Sequence, residues 1–434
     1  MFWNRWYSVK SYVWSSLWIV PFFALVAGFA VKMLAEHFGA WMVARGFYDL
    51  KTGFFALSQD GAHAVLDRIF ALNLSCLVFT FGSLLVAIQV AGGQYTPRII
   101  ATTLLRDNVI RWIVGFFVFT LLWVNRTMTQ LGIEHEVPQF QVFLGMTFGM
   151  ASLVAFLLLI DYSARLLRPV ALAGRIGEQG IAVIESVYPN PTRGANVPRD
   201  SGSKRGVPDR TVTHQGKSKV LLAVNLGMLV AQAQRAGAVI ELAPQVGDFV
   251  GVGEPLFYLY GDAGAIDEHR LRDLAAFGTE RTMEQDPVFA FRILVDIASK
   301  ALSPAINDPT TAVLAIDQLH RLLRRVGMRD LRAEEIADQA GHLRVILRTP
   351  NWEDFVHISF REIRQFGSGC LQVARRLRAM IENLIQTLPE HRHAALRAEL
   401  ELLDRVIATQ YAFPEDLALA RIPDPQGLGG SSRS

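Results

Sequence analysis

The densest run of paired charges and turn signals in this chain lies between Phe277 and Asp317, FGTERTMEQDPVFAFRILVDIASKALSPAINDPTTAVLAID. Asp286 before Pro287 reads as an N-cap followed by proline at the first helical position. The helix that follows places Phe291, Leu294, Val295, Ala298 and Leu302 on one apolar face. Arg292, Asp296 and Lys300 fall at successive i,i+4 steps and can form a charge ladder on another face. Ser303-Pro304 stops that helix. Asn307-Asp308-Pro309 caps a second one, with Val313, Leu314, Ile316, Leu319 and Leu323 inward. Two readings follow. Caps and i,i+4 pairs serve a helix–turn–helix at the centre of a soluble domain. Alternatively Glu280, Arg281, Asp286, Arg292, Asp296 and Asp308 converge on a polar site, flanked by Lys300 and Asn307, that would hold a small-molecule or ion ligand.

The spacing names no reaction. There is no HExxH, no G-x-S-x-G, and Gly216-Lys217-Ser218 lacks the upstream glycine of a phosphate loop, since position 211 is Thr211. His391 and His393 stand two apart on a helix and diverge, which makes them poor joint ligands. No catalytic residue, metal or cofactor is expected. The two cysteines, Cys76 and Cys370, fall in an apolar and a polar segment, so neither a disulfide nor a thiolate metal site is expected.

A second set of polar residues sits in an apolar run. Asn73, Cys76, Thr80, Ser83, Ala87 and Gln94 recur at three-, four- and seven-residue steps on one helical face, with Arg98 behind Pro97 at its end. Small and hydroxyl residues favour close packing of membrane helices. The same stripe could line an aqueous path, with Arg98 at its mouth.

The elements that must position these residues follow from composition. The chain has 434 residues, of which 51% are hydrophobic, with a formal charge of +3. That charge is too small to argue for nucleic acid. The apolar excess lies in the first 160 or so residues, which indicates a membrane domain ahead of a soluble one. Four spans are expected, at about 11–31, 69–94, 108–128 and 138–160, with a helical extension to 187. Lys32 to Arg68 reads as a long loop of mixed charge. Lysine and arginine flank the spans at Arg5 and Lys10, at Arg98, Arg106 and Arg111, and at Arg165, Arg168 and Arg175. By the positive-inside rule both termini are cytoplasmic. Residues 188–219, rich in Pro, Gly, Ser and Arg, read as a flexible linker. Ordered sequence resumes at 220 and runs to 421: a strand (VLLAVN), a helix closed by Gly237, a strand (AVIELA), then two strands around the turns of PQVGDFVGVGEPLFYLYG. Leu343 to Arg348 is one more strand. Trp352 to Leu388 and Glu390 to Tyr411 carry long amphipathic patterns, arginine-rich on the outer face. The tail 422–434, ending GLGGSSRS, is expected to be disordered. The fold class is therefore an α-helical membrane domain of four transmembrane helices plus an α+β cytoplasmic domain with a small β-element and long C-terminal helices.

Several segments together resemble a known family. After the apolar spans come QYTPRI (94–99), GDFVGVGEPL (247–256) and the GTERTMEQD…LVDIASKALSPAINDPTTA run, in that order. This is similar to the bacterial predicted membrane protein family termed domain of unknown function twenty-two fifty-four, with ALSPAINDP its most specific part. The resemblance implies an inner-membrane protein with a cytoplasmic C-terminal region, and it supplies no catalytic residues. The shorter run Val246–Leu256 also resembles half of a lipoyl- or biotinyl-type sandwich, without a carrier lysine in a tight turn.

Two functions fit. One is a homo-oligomeric ion channel with its pore at a symmetry axis, gated by the domain around 277–317. The other is a membrane-anchored sensor or regulatory scaffold that binds a ligand or partner through the same charges. The partners expected are the lipid bilayer and further copies of the chain.

Overall fold

The computed structural model describes residues 3, 19–45, 57–94, 107–133, 137–166, 168–192, 206–261, 263–331 and 335–429. The chain divides into two compact units.

The first unit is a bundle of four helices: α1 Ile19–Ala44, α2 Gln59–Gln94, α3 Asn108–Ile133 and α4 Gln139–Leu166. Among the described residues three stretches are long and apolar enough to cross a membrane, Gln59–Gln89, Asn108–Ile133 and Gln139–Ser163. Their outer faces carry exposed Leu74, Val78, Phe79, Leu85, Trp112, Val154, Leu157 and Leu158. An apolar surface of that extent is stable against hydrocarbon and not against water. Residues 11–18 of the expected first span lie outside the described residues. The expected loop from Lys32 to Arg68 is mostly helix instead: α1 continues through Lys32, Glu36 and His37, and α2 already includes Asp60, His63, Asp67 and Arg68. Charged residues of good helix propensity do not break a helix; they only exclude its ends from the hydrocarbon.

Contacts fix the direction of each helix. Gly115 of α3 lies against Val20 and Pro21, and Gly28 of α1 against Phe119. Phe38 packs on Phe140 at the start of α4. At the start of α2, Gln59 donates to the carbonyl of Leu131 and Gln139 bonds both backbone groups of Leu57. Helices α1 and α3 therefore run one way and α2 and α4 the other. Gly145 and Gly149 of α4 meet Leu66 and Ile69 of α2, where a Cβ on Gly149 would come within 2.6 Å of Ile69. The GxxxG thus lets a bulky ridge of α2 into α4.

The second unit begins at α5, Pro169–Val187, which the sequence assigns to the membrane part as an extension. The helix breaks before Pro169 because proline disfavours helical backbone in its predecessor. Its small face then packs within the second unit. A Cβ on Gly180 would lie 2.8 Å from Ala290 and 3.0 Å from Leu322. The segment 188–219 is not linker throughout. Tyr188 is fully buried and donates to the Pro350 carbonyl, Pro191 bridges Arg329, and Arg210–Thr213 forms β1. Residues 193–205 lie outside the described residues.

Then come β2 Lys219–Val224, α6 Leu226–Ala236, β3 Val239–Leu242, β4 Phe249–Val250, β5 Pro255–Tyr260, α7 Glu268–Arg272 and β6 Ala275–Gly278. Helix α6 starts on Asn225, whose side chain accepts from Met228 N, and stops at left-handed Gly237, as the sequence indicates. A helical layer follows: α8 Pro287–Ala301, α9 Pro309–Gly327, β7 Glu335–Ala337, β8 Leu343–Ile346, α10 Trp352–Gly367, α11 Leu371–Thr387, α12 His393–Gln410 and α13 Pro414–Ala420. The single pattern read over Trp352–Leu388 is two helices. The break at 368–370 lets Gly367 sit against Val373 and Leu302.

The strands form two sheets, β1-β5-β3-β8-β7 and β4-β2-β6. Among the described residues only the β3–β8 pair, Ile240 opposite Val345, is parallel. The GDFVGVGEPL run supplies β4 and β5, which belong to different sheets. Leu221, Val224, Leu229, Ile240, Phe257 and Leu271 lie in the buried core of the strand region. The tail expected to be disordered is placed as far as Gly429: Asp424 is buried and its carboxylate accepts from the backbones of Gln426, Gly427 and Gly429.

Candidate functional site

The eight motif residues do not form one site. Helix α8 has 15 residues and is therefore about 22 Å long. Glu280, Arg281 and Asp286 lie at its start, Arg292 and Asp296 along it, and Lys300, Asn307 and Asp308 at its far end.

The first group is where the strand region meets α8. Asp286 is almost fully buried; one oxygen caps Phe289 N at 3.2 Å and the other accepts from Arg281 Nε at 2.8 Å. The Arg281 guanidinium also lies over the Phe289 ring. Gly247, at φ +98°, presses on this pair, and a Cβ there would lie 2.5 Å from Asp286 Oδ2. Next to it Gln285 pairs with both backbone groups of Val224, as a strand would. So GDFVGVGEPL and GTERTMEQDP, which the sequence separates by tens of residues, meet at one ion pair. Burial raises the Asp286 carboxyl above its ordinary value, with Arg281 opposing. A raised folded-state pKa means that ionisation costs the fold: the contribution is full at low pH and is lost as pH rises through the folded value. Glu280 is exposed and contributes nothing to the pair.

The second group clamps two helices. Arg292 bonds Asp296 through Nε at 2.6 Å and Glu362 of α10 through Nη2 at 2.7 Å. The Arg292 hydrogen bond holds Glu362 below the usual carboxylate range, and both carboxylates raise Arg292. Of the i,i+4 ladder, Arg292–Asp296 forms as read, whereas Glu362 is a partner that no local spacing announces. Replacing Arg292 by alanine is expected to cost about 1–2 kcal/mol, discounted because Glu362 is two-fifths exposed. Hydrogen exchange of α10 should then quicken roughly tenfold, and Glu362→Gln in the same chain should add little. Full additivity would disprove the clamp.

The third group is a turn. Asp308 Oδ1 caps Thr311 N at 3.0 Å and Asp308 Oδ2 accepts from the Thr311 hydroxyl. Asn307 is left-handed, φ 47°, the one such non-glycine among the described residues. Asparagine tolerates that conformation better than other non-glycine residues. The stretch from Pro304 to Asn307 is exposed.

A further polar cluster, absent from the sequence reading, joins α9 to α11. Arg376 bonds Asp317 Oδ1 at 2.7 Å and His320 Nδ1 at 3.1 Å, and His320 Nε2 meets Asn383 Oδ1 at 2.9 Å. An arginine donor on Nδ1 requires a neutral imidazole with its proton on Nε2. Burial, then Arg376, lowers the His320 pKa; Asp317 opposes and Arg324 reinforces Arg376. A histidine whose folded pKa is depressed stabilises the fold above the ordinary value near 6.5 and stops doing so as pH falls below it. Hydrogen exchange in α9 and α11 should quicken, relative to the intrinsic rate, between pH 7.5 and 5.5. His320→Gln should flatten that dependence; an unchanged slope would remove His320 as its source.

In the membrane bundle Asn73, Cys76 and Thr80 are all buried, Asn73 completely, while Ser83 is exposed. The stripe thus turns into the chain's own bundle over two turns of α2 before rotating outward. Gln94 ends α2. Arg98 lies outside the described residues. On α3 and α4, Thr120 donates to the Phe116 carbonyl and shares a 3.1 Å hydrogen bond with Ser152, and both are fully buried. At the α3 start Asp107 caps Val109 N and accepts from the Tyr162 hydroxyl of α4 at 2.6 Å.

Membrane-length helices followed by a C-terminal unit of helices and small sheets define the class: a predicted membrane protein with a second, α+β unit. Residues 14–383 match the family described as Predicted membrane protein (DUF2254), and the chain belongs to it. An uncharacterized protein of Mycobacterium bovis is 23% identical over 99% of this chain and 82% of its own length. Uncharacterized proteins from two Mycobacterium tuberculosis strains, H37Rv and CDC 1551, are 23% and 22% identical over the same shares. No solved structure matches the chain.

Proposed function

We propose that this is a multi-pass protein of a bacterial inner membrane, with four spans and both termini cytoplasmic, whose C-terminal unit is a regulatory domain: a membrane-anchored sensor or scaffold that binds a small ligand or a protein partner. The observation that carries this reading is the inward burial of Asn73, Cys76 and Thr80, which takes the polar stripe away from any axis between subunits. The alternating helix directions support four spans. They bring the start of α1, the end of α2, the start of α3 and the end of α4 to one end of the bundle, where Arg111 and Arg165 belong. Mass photometry of the full chain in nanodiscs, with ion flux in liposomes, tests the reading. A monomer or dimer without flux supports it. A closed ring of three or more subunits that conducts overturns it.

The second reading is the homo-oligomeric channel gated by the C-terminal unit. What favours it is that Asn73 and Thr80 hold buried polar atoms without hydrogen-bond partners among the described residues, at membrane depth, a cost that an anchor has no use for. Ser83, Gln94 and Arg98 would then extend the polar line towards the cytoplasm.

A further inference from the structure

We infer that the membrane bundle encloses a hydrated site at Asn73, in which water inside the single chain meets Asn73 and Thr80 and wets the thiol of Cys76. Asn73 is fully enclosed, and neither its Oδ1 nor its Nδ2 has a hydrogen-bond partner among the described residues. Thr80, 6% exposed, leaves its hydroxyl unpaired as well. That is unusual on these helices. Ser75, Thr120, Thr127, Thr129 and Thr147 each bond the carbonyl four residues back. Cys76 lies three residues after Asn73 and four before Thr80, on the same face.

The opposite wall is polar at the same level. Ile69 of α2 sits on Gly149 of α4, and Phe79 of α2 meets Phe156 edge-on at 5.7 Å. Asn73 and Ser152 fall between these two contacts on their respective helices. Since Thr120 donates to Phe116, the shared hydrogen bond must come from Ser152, whose lone pairs stay open as acceptors.

Burying an amide without partners is costly, so the group must be satisfied by something. A second copy of the chain cannot reach a side chain with no exposed surface. Lipid tails carry no donors or acceptors. A cation would satisfy Oδ1 and leave the two N–H groups of Nδ2 unpaired. Water donates to Oδ1 and Thr80 and accepts from Nδ2, which matches all the open positions. Hydration at Asn73 rests on neither reading of the C-terminal unit.

The test uses Cys76 as the reporter. In the full chain carrying Cys370→Ser, Cys76 is the one remaining thiol. The protein in nanodiscs is treated with aqueous 2-aminoethyl methanethiosulfonate, and separately with silver ion, and modification is followed by intact mass. Cys76 should react in the folded protein. Asn73→Leu, which replaces the amide with an apolar group of similar size, should slow that reaction at least tenfold, and Asn73→Ser should restore it. Should Asn73→Leu fail to fold, Thr80→Val makes the same comparison. A thiol inert to both reagents until denaturation overturns the proposal. So does a rate that neither Asn73→Leu nor Thr80→Val changes.

Discussion

Gly247→Ala should loosen the junction between the strand region and α8 by about 3 kcal/mol, through backbone strain and displacement of the half-buried Arg281–Asp286 ion pair. At φ +98° any L side chain is strained, and here the new methyl group would also press on Asp286 Oδ2 and the Arg281 guanidinium. Asp286 is buried and held by Phe289 N, so Arg281, about a third exposed, is the partner that must shift and stretch the pair. The junction's backbone bonds report the damage. Gly247 N donates to Leu221 O, Leu221 N to Asp248 O and Val224 N to Gln285. Hydrogen exchange at Leu221 and Val224 in the full chain should quicken about a hundredfold. Gly253→Ala is the control, since φ is +85° there but no atom lies within 4 Å of the added Cβ. It should show only the backbone cost, about 1 kcal/mol. Equal effects at both glycines would mean that Gly247 is a turn residue and nothing more. In an Arg281→Ala background the excess at Gly247 should shrink.

What was legible in the chain follows the range of each interaction. The caps at Asp286 and Asp308, the Gly237 stop and the Arg292–Asp296 step are all local, and spacing alone announces them. The apolar spans are legible because a helix in hydrocarbon needs only length and composition. Convergence of the charges failed for a local reason too: one full helix separates Asp286 from Asp308, a distance that the sequence also states. Glu362, Asn383 and Arg376 could not be paired with their partners, which lie 56 to 70 residues away. The same holds for the contact of Gly247 with Asp286, where two family-like segments each look complete in themselves. In α2 the stripe of small and polar residues was visible, but which way it faces depends on Gly145 and Gly149 of another helix.

The most misleading segment was the C-terminal one, and it carries the second large prediction. Arg375 sits in an amphipathic helix where arginines read as an outer face, yet it is wholly buried. Its Nε donates to Ile422 O at 3.0 Å and its Nη1 to Gly429 O at 3.2 Å, so α11 holds a strap whose glycines read as disorder. Gly427, at φ +66°, fits against Val313 and Arg376, and Gln372 bonds its carbonyl at 2.6 Å. Arg375→Met keeps the volume and removes two charge-assisted hydrogen bonds, at an expected cost of about 3 kcal/mol. Trypsin reads this directly, because Arg421 is exposed and precedes the strap. In the full chain the Arg421–Ile422 bond should resist cleavage, and Arg375→Met should quicken its loss about a hundredfold when opening precedes cutting. Arg378→Met is the control on the same helix: Arg378 pairs with Asp404 and Glu382, so its loss should loosen α12 and leave the Arg421 bond protected. If both variants are cut alike, the helix has unfolded as a whole. If neither is cut, the two carbonyls of the strap are not what Arg375 is buried to hold.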